Sequence, residues 1–235
     1  MRLDRFLTQQ TRQSSKEVRL WLMQGRVTVD GTLTRDPSVK ISPMMRIQLD
    51  DQQLQGTEPR YYMVHKPIGV VSATTDEKHP TVLSLLPESL QEGLHLAGRL
   101  DLNTTGLMLL TNDGRWSRRV TQPTAKHPKV YHVRTEDPIS VEYQDVFRQG
   151  IYFAYEDLTT LPAELEILDT REARLTLYEG RYHQVKRMFG YFDNKVVGLH
   201  RERIGEVRLD SAVTSGNYRA LEAAEINAFN EISTS

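Results

Sequence analysis

Apolar positions change period along the first fifty residues. Leu3, Phe6 and Leu7 fall at helical spacing. A second helical run, with Val18, Leu20, Trp21 and Leu22, follows Ser14 and Glu17, which are spaced as a capping box, and Gly25 stands where a C′ residue would end it. RVTVDGTLT (Arg26 to Thr34) then alternates and turns at Asp30-Gly31, which predicts a hairpin. RIQLD (Arg46 to Asp50) adds a short strand. The polar stretch DDQQLQGTEPR, with Gly56 and Pro59, reads as a linker.

Beyond Arg60 short strands mix with single helices. YYMVHKP is a strand stopped by Pro67, TGLMLLTNDG a strongly apolar strand closed by Asp113-Gly114, and KVYHVRT another strand. SVEYQDVFRQG predicts a helix capped by Ser140 and ended by Gly150. AELEILDTREARLTLYEG reads as two strands around a polar turn. GRYHQVKRMFGYF predicts a basic helix and RALEAAEINAFNEI a C-terminal one. Regular βαβ alternation is absent, so the expected class is α+β with a mixed, mainly antiparallel sheet flanked by helices. The expected domains are residues 1–56, a linker at 57–60, and a larger domain at 61–235.

Composition narrows the chemistry. There is no cysteine among the 235 residues, which removes disulfides and thiolate metal sites. No h-region of a signal peptide and no membrane-length apolar run is seen, so a cytoplasmic protein is expected. The formal net charge of −1 hides a segregated distribution. From Gly114 to Thr135 Arg115, Arg118, Arg119, Lys126, Lys129 and Arg134 occur without one acid; from Glu142 to Glu179 the balance reverses. A basic face of this kind suits a polyanion, and a solvated helix face accounts for it too.

Three segments carry candidate chemistry. GRLDLNTTGLMLL (Gly98 to Leu110) sets Asp101 in a turn before an apolar strand, with Arg99 two residues earlier. Asp-Leu-Asn-Thr-Thr-Gly is turn chemistry in its own right, yet a carboxylate on a loop anchored by core strands is also well placed to react. Arg181 to Met188 puts Val185, Met188 and Phe189 on an apolar stripe and Gln184 and Arg187 on adjacent faces. Such a helix can contact phosphates and hold one cation near a carboxylate, or simply be solvated. Tyr131 in KVYHV sits in the acid-free stretch, where it can stack on an unpaired base or pack in the core. No H-E-x-x-H, P-loop, G-x-G-x-x-G or G-x-S-x-G pattern occurs, so neither a metal nor a nucleotide cofactor is expected.

GRLDLNTTGLMLLTNDG resembles the catalytic motif of pseudouridine synthases, and HKPIGVVS (His65 to Ser72) their preceding Lys-Pro-x-Gly motif. KVYHV and EGRYHQVKRMF are similar to their tyrosine and basic-helix motifs, in the expected order, and residues 1–56 resemble an S4 RNA-binding domain. The resemblance covers nearly the whole chain and lies nearest the branch acting on small-subunit ribosomal RNA, expected at the uridine-516 site. It implies isomerisation of a flipped-out uridine with no cofactor. Asp101 would be the catalytic carboxylate, Tyr131 would stack on the uracil, and Lys186 would pair with Asp101, with Arg187 as the alternative partner because many relatives carry arginine where Lys186 stands. Arg99, Lys66, Arg181, Gln184, Arg187, Arg118 and Arg119 would contact substrate or RNA. The implied partner is small-subunit rRNA or a pre-ribosomal particle, with no membrane, and the protein would be a monomer. A sibling enzyme for large-subunit rRNA and a non-catalytic ribosome-assembly factor are the competing readings.

Overall fold

A computed structural model of the chain describes residues 1–43, 45–56 and 58–229. These form two compact units, one of residues 1–60 with 112–115, the other of the remainder from Tyr61. Thr57, in the expected linker, and residues 230–235, including the end of the expected C-terminal helix, lie outside the described residues.

In the first unit α1 (Leu3–Thr11) and α2 (Ser15–Met23) bury the helical stripes against a small sheet. The Ser14 hydroxyl accepts the Glu17 N–H at 3.2 Å, satisfying one orphan donor of α2. β1 (Val27–Val29) and β2 (Thr32–Leu33) meet at Asp30 and Gly31, both at positive φ, as a two-residue hairpin turn requires. β3 (Ile47–Leu49) and β4 (Gln52–Gln55) complete the order β2-β1-β3-β4. β4 corrects the expected linker. Its Gln-Gln-Leu-Gln sequence looks like loop because it is an edge strand, with Leu54 alone packing on the core.

The second unit is built on one sheet. Its strands are β5 (Tyr61–Lys66), β6 (His95–Leu96), β7 (Thr105–Thr111), β8 (Lys129–Thr135), β11 (Glu164–Asp169), β12 (Glu172–Leu177), β13 (Val196–Ile204), β14 (Val207–Arg208) and β15 (Tyr218–Ala220). A separate hairpin comprises β9 (Tyr152–Phe153) and β10 (Leu158–Thr159). The sheet order is β11-β12-β8-β13-β7-β5-β15, with β14 on β13 and β6 on β7. Every pair in it is antiparallel except β13 with β7. The helices are α3 (Glu88–Gln91), α4 (Gly114–Thr121), α5 (Glu142–Gln149), α6 (Gln184–Gly190) and α7 (Ala223–Asn227).

Both faces of the central strands are buried, which is why TGLMLL is apolar throughout. Met108 and Leu110 pack into a core with Phe147, Met188 and Phe189, whereas Leu107 and Leu109 pack on the other side with Trp116 and Val120. Gly106, at φ +111°, lies where β7 meets β13; a Cβ there would overlap the Arg201 backbone, so only glycine fits. Three helix limits differ from expectation. α5 starts at Glu142 behind Val141, and Ser140 contributes its carbonyl to the Tyr143 N–H rather than a side-chain cap. α6 starts at Gln184, because His183 stands at φ +48° and cannot extend the helix. Arg219 and Ala220 belong to β15, and α7 follows behind a Glu222/Glu225 capping box.

Candidate active site

Asp101 sits in a loop that leaves the sheet after Leu96, the end of β6, and re-enters it at Thr105 as β7. The loop is pinned from below at nearly every step. The Thr104 N–H donates to the Asp101 carbonyl at 3.0 Å, closing a turn. Ser72 Oγ donates to the Leu100 carbonyl at 2.6 Å and accepts the Leu100 N–H at 2.9 Å. The Gly69 N–H donates to the Leu102 carbonyl at 3.0 Å. Lys66 Nζ donates to the carbonyls of Thr104, Pro67 and Leu102 at 2.7, 3.0 and 3.3 Å. Arg201 holds the two ends, with Nε on the Leu107 carbonyl at 2.9 Å and Nη1 on the Arg99 carbonyl at 3.3 Å. A carboxylate on such a frame keeps its position without help from substrate.

The loop opens onto a cavity of about 650 Å³ whose walls include Arg99, Asp101, Lys129, Tyr131, Lys186 and Arg201. Asp101 Oδ2 lies 3.3 Å from His183 Nε2 and 3.5 Å from Lys186 Nζ, with one third of its side chain exposed. Of the two cations weighed from the sequence, Lys186 faces Asp101. Arg187 points elsewhere: its guanidinium pairs with Glu156 at 2.8 Å and lies 3.6 Å over the Phe153 ring. The helical register explains the split. α6 buries Gln184, Val185, Met188 and Phe189, so neighbouring residues leave the core on different sides.

Tyr131 is 9% exposed and reaches the cavity from β8. Arg99 is exposed at its rim. Arg181 also lines it, but its Nε is held by Glu179 at 2.9 Å. Arg118 and Arg119 lie on α4 outside the lining.

Three sequence expectations need correction. Lys66 is fully buried beneath the loop with its ammonium spent on three carbonyls, so it holds Asp101's loop rather than RNA. Gln184 does line the cavity, but it is buried and both ends of its amide are engaged, donating to Glu179 at 2.8 Å and accepting the Arg181 N–H at 3.0 Å, which braces the start of α6. Arg187 is committed to Glu156 and Phe153, away from the cavity.

Sequence reasoning missed His183, Arg201, Lys129 and Ser72. His183 stood inside a quoted motif, and its ring stacks on Tyr182 at 3.8 Å while facing Asp101. Nothing local distinguishes Arg201 in the run LHRERI; its burial comes from strands distant in sequence. Burial sets the electrostatics. It pushes the Lys66 ammonium down to about 8, the charge of Arg201 acting the same way and Asp101 opposing. Burial, then Arg201, lowers Lys129, with Glu179 opposing.

The α+β sheet thus brings one aspartate, a strand tyrosine and a cation of the basic helix to a single cavity. Residues 60–191 match the family described as RNA pseudouridylate synthase, and residues 1–47 match the S4 domain. The chain belongs to the RNA pseudouridylate synthase family and carries an S4 domain. It is similar to proteins named ribosomal small subunit pseudouridine synthase A: 55% identical to that of Pseudomonas aeruginosa over 96% of this chain and 99% of the relative, and 45% identical to that of Escherichia coli K12 over 96% and 98%. A crystal structure of a pseudouridylate synthase superposes with a TM-score of 0.74 at 41% identity, covering 97% of this chain and 99% of that one.

Proposed function

We propose that this protein converts one uridine of small-subunit ribosomal RNA to pseudouridine, at the uridine-516 site, with Asp101 as the catalytic carboxylate. The observation that carries the target is the 55% identity, end to end, with a relative named for the small subunit. The cavity supports the chemistry. A stacked uridine cannot reach Asp101, so the base is flipped at a cost of about a few kcal/mol. Stacking on Tyr131 offsets part of that cost. Asp101 then acts at C1′, at C6 or on the C2′ proton; the N1–C1′ bond breaks, the uracil turns, C5 joins C1′ and the C5 proton leaves. Lys186 Nζ and His183 Nε2, at 3.5 and 3.3 Å from Asp101 Oδ2, are placed to orient the carboxylate for each route. Residues 1–56 hold the RNA through its phosphates and raise the local concentration of the site. Small-subunit rRNA, free or in a pre-ribosomal particle, is the partner of a monomeric, cytoplasmic enzyme.

The test is tritium release from rRNA labelled at uridine C5. Asp101→Asn is expected to abolish release while RNA binding persists. Full activity in that variant would remove Asp101 from the chemistry. Pseudouridine mapping in a deletion strain tests the target: loss confined to large-subunit rRNA would replace the proposed substrate with that of the sibling reading.

A further inference from the structure

The wall behind Tyr131 carries two cations that form no ion pair among the described residues. Arg201 is 3% exposed and lines the cavity. Its donors reach two backbone carbonyls and, at 3.4 Å, the Met108 sulfur. Among the described residues it has no ion pair. Lys129 lines the same cavity and donates to the His127 carbonyl at 3.2 Å, again with no ion pair among the described residues. The carboxylate that acts on it, Glu179, is itself bound to Arg181, Gln184 and the Leu161 N–H.

The strand pairing brings these cations together. Arg201 stands directly across from Tyr131 in the β13–β8 pair, so both side chains occupy one face. Lys129 is two residues before Tyr131 on β8, which puts it on that face too. Burying unpaired cations is costly, and the cost is recovered where negative charge forms beside them.

We propose that Arg201 and Lys129 stabilise the negative charge that the pyrimidine ring acquires during the isomerisation. This rests on the reading of the cavity as the uridine site. Each route creates that charge. If Asp101 attacks C1′, the N1–C1′ pair leaves with the uracil as an anion spread over N1, O2 and O4. If Asp101 takes the C2′ proton, the C2′–H pair forms a C1′=C2′ bond and the N1–C1′ pair again leaves with the ring. If Asp101 adds to C6, the C5=C6 pair moves into a C4–O4 enolate. In every case the charge is discharged when C5 bonds to C1′: Asp101 leaves C1′, or is eliminated from C6, or returns its proton to C2′, and the C5 proton departs to solvent as N1 takes one up. A guanidinium and an ammonium beside Tyr131 lower the energy of that state.

The experiment measures single-turnover rates and RNA affinity for the full chain on an rRNA fragment that the wild type modifies. Arg201→Met is expected to slow the reaction about 100-fold, the scale of a lost charge-stabilising donor, with RNA affinity within about threefold. Arg201→Lys restores at least about a tenfold part of that loss, since it keeps the charge. The second readout replaces the target with 5-fluorouridine, which has no C5 proton to lose; after C5 bonds to C1′ the N1=C6 bond takes up water, and the reaction is followed as loss of that nucleoside from nuclease digests. Fluorine withdraws electrons and stabilises the ring anion on its own, so the ratio of wild-type to Arg201→Met rates shrinks. A purely structural arginine would leave the ratio unchanged. Lys129→Met, which removes one bond to a carbonyl, is expected to show the same narrowing and decides the question if Arg201→Met does not fold. An equal ratio on both substrates, or a loss confined to RNA affinity, overturns the proposal while leaving the proposed function intact. Absence of turnover by the wild type on every rRNA fragment defeats that function and this inference together.

Discussion

At the scale of single residues, charge read from sequence is a poor guide to what a side chain touches. Lys66 looks like an RNA contact because lysine is cationic and lies in a recognisable motif. Its burial exists only once β5, β7 and the Asp101 loop are assembled around it. The consequence is testable by pH. A lysine in the unfolded chain holds its proton to about 10.5, whereas Lys66 in the folded protein releases it near 8. Between these values the unfolded chain binds the extra proton, so this group adds stability as pH rises through the window. Catalysis runs the other way. Neutral Lys66 has two N–H donors for three carbonyls, and Asp101 loses a nearby cation. The pH–rate profile is therefore expected to fall with an apparent pKa near 8, and Lys66→Arg to move that limb to higher pH. Melting curves at the same pH values separate this from unfolding. An alkaline limb that stays in place in Lys66→Arg counts against the loop-holding role. That Asp101 and Tyr131 line one cavity was legible by contrast, because each sits in a short ordered motif that needs no neighbour to be read.

At the scale of elements, the apolar stripe of GRYHQVKRMFGYF was enough to find α6 but not to aim its cations. Lys186 and Arg187 are adjacent, and a rotation of roughly 100° per residue sends one to Asp101 and the other to Glu156. This predicts opposite phenotypes. Lys186→Ala is expected to cut kcat by about 100-fold or more with little change in melting temperature, as for loss of a group supporting a reacting charge. Arg187→Ala is expected to leave kcat within a few-fold and to destabilise the protein by about 1–2 kcal/mol, from a part-buried ion pair and a cation–π contact. Paired thermal melts and single-turnover rates check both. A rate defect in Arg187→Ala equal to that in Lys186→Ala would show that the helix acts as a unit. The misread β4 has a similar origin to Lys66: an edge strand with one apolar residue has no pattern of its own, and only its pairing with β3 makes it visible.

At the scale of the whole chain, the class was legible, since hydrophobic period and turn residues are local properties, but α4, the β9–β10 hairpin and the central strand β13 were not read from the sequence. The single parallel pair, β13 with β7, was not, because it joins residues nearly a hundred positions apart. Charge is likewise a whole-chain property that the net value of −1 conceals. The segment matching the S4 domain has nine Lys and Arg against four Asp and Glu. On α2, Lys16 and Arg19 lie one turn apart on the face opposite Val18, Trp21 and Leu22, exposed and with no ion pair among the described residues. Phosphate contacts from such a surface would set affinity and its salt dependence, while Asp101, the proposed catalytic carboxylate, belongs to the other unit. Replacing Lys16 and Arg19 together by alanine is therefore expected to weaken RNA binding about tenfold at low salt and to lower the slope of log affinity against log salt by about 1–2. The rate at saturating RNA is expected to stay at the wild-type value. Filter binding across a salt series, with single-turnover rates at the plateau, checks both. An unchanged slope would mean that these cations do not meet phosphate, and a reduced plateau rate would mean that they take part in placing the uridine as well as in holding the RNA.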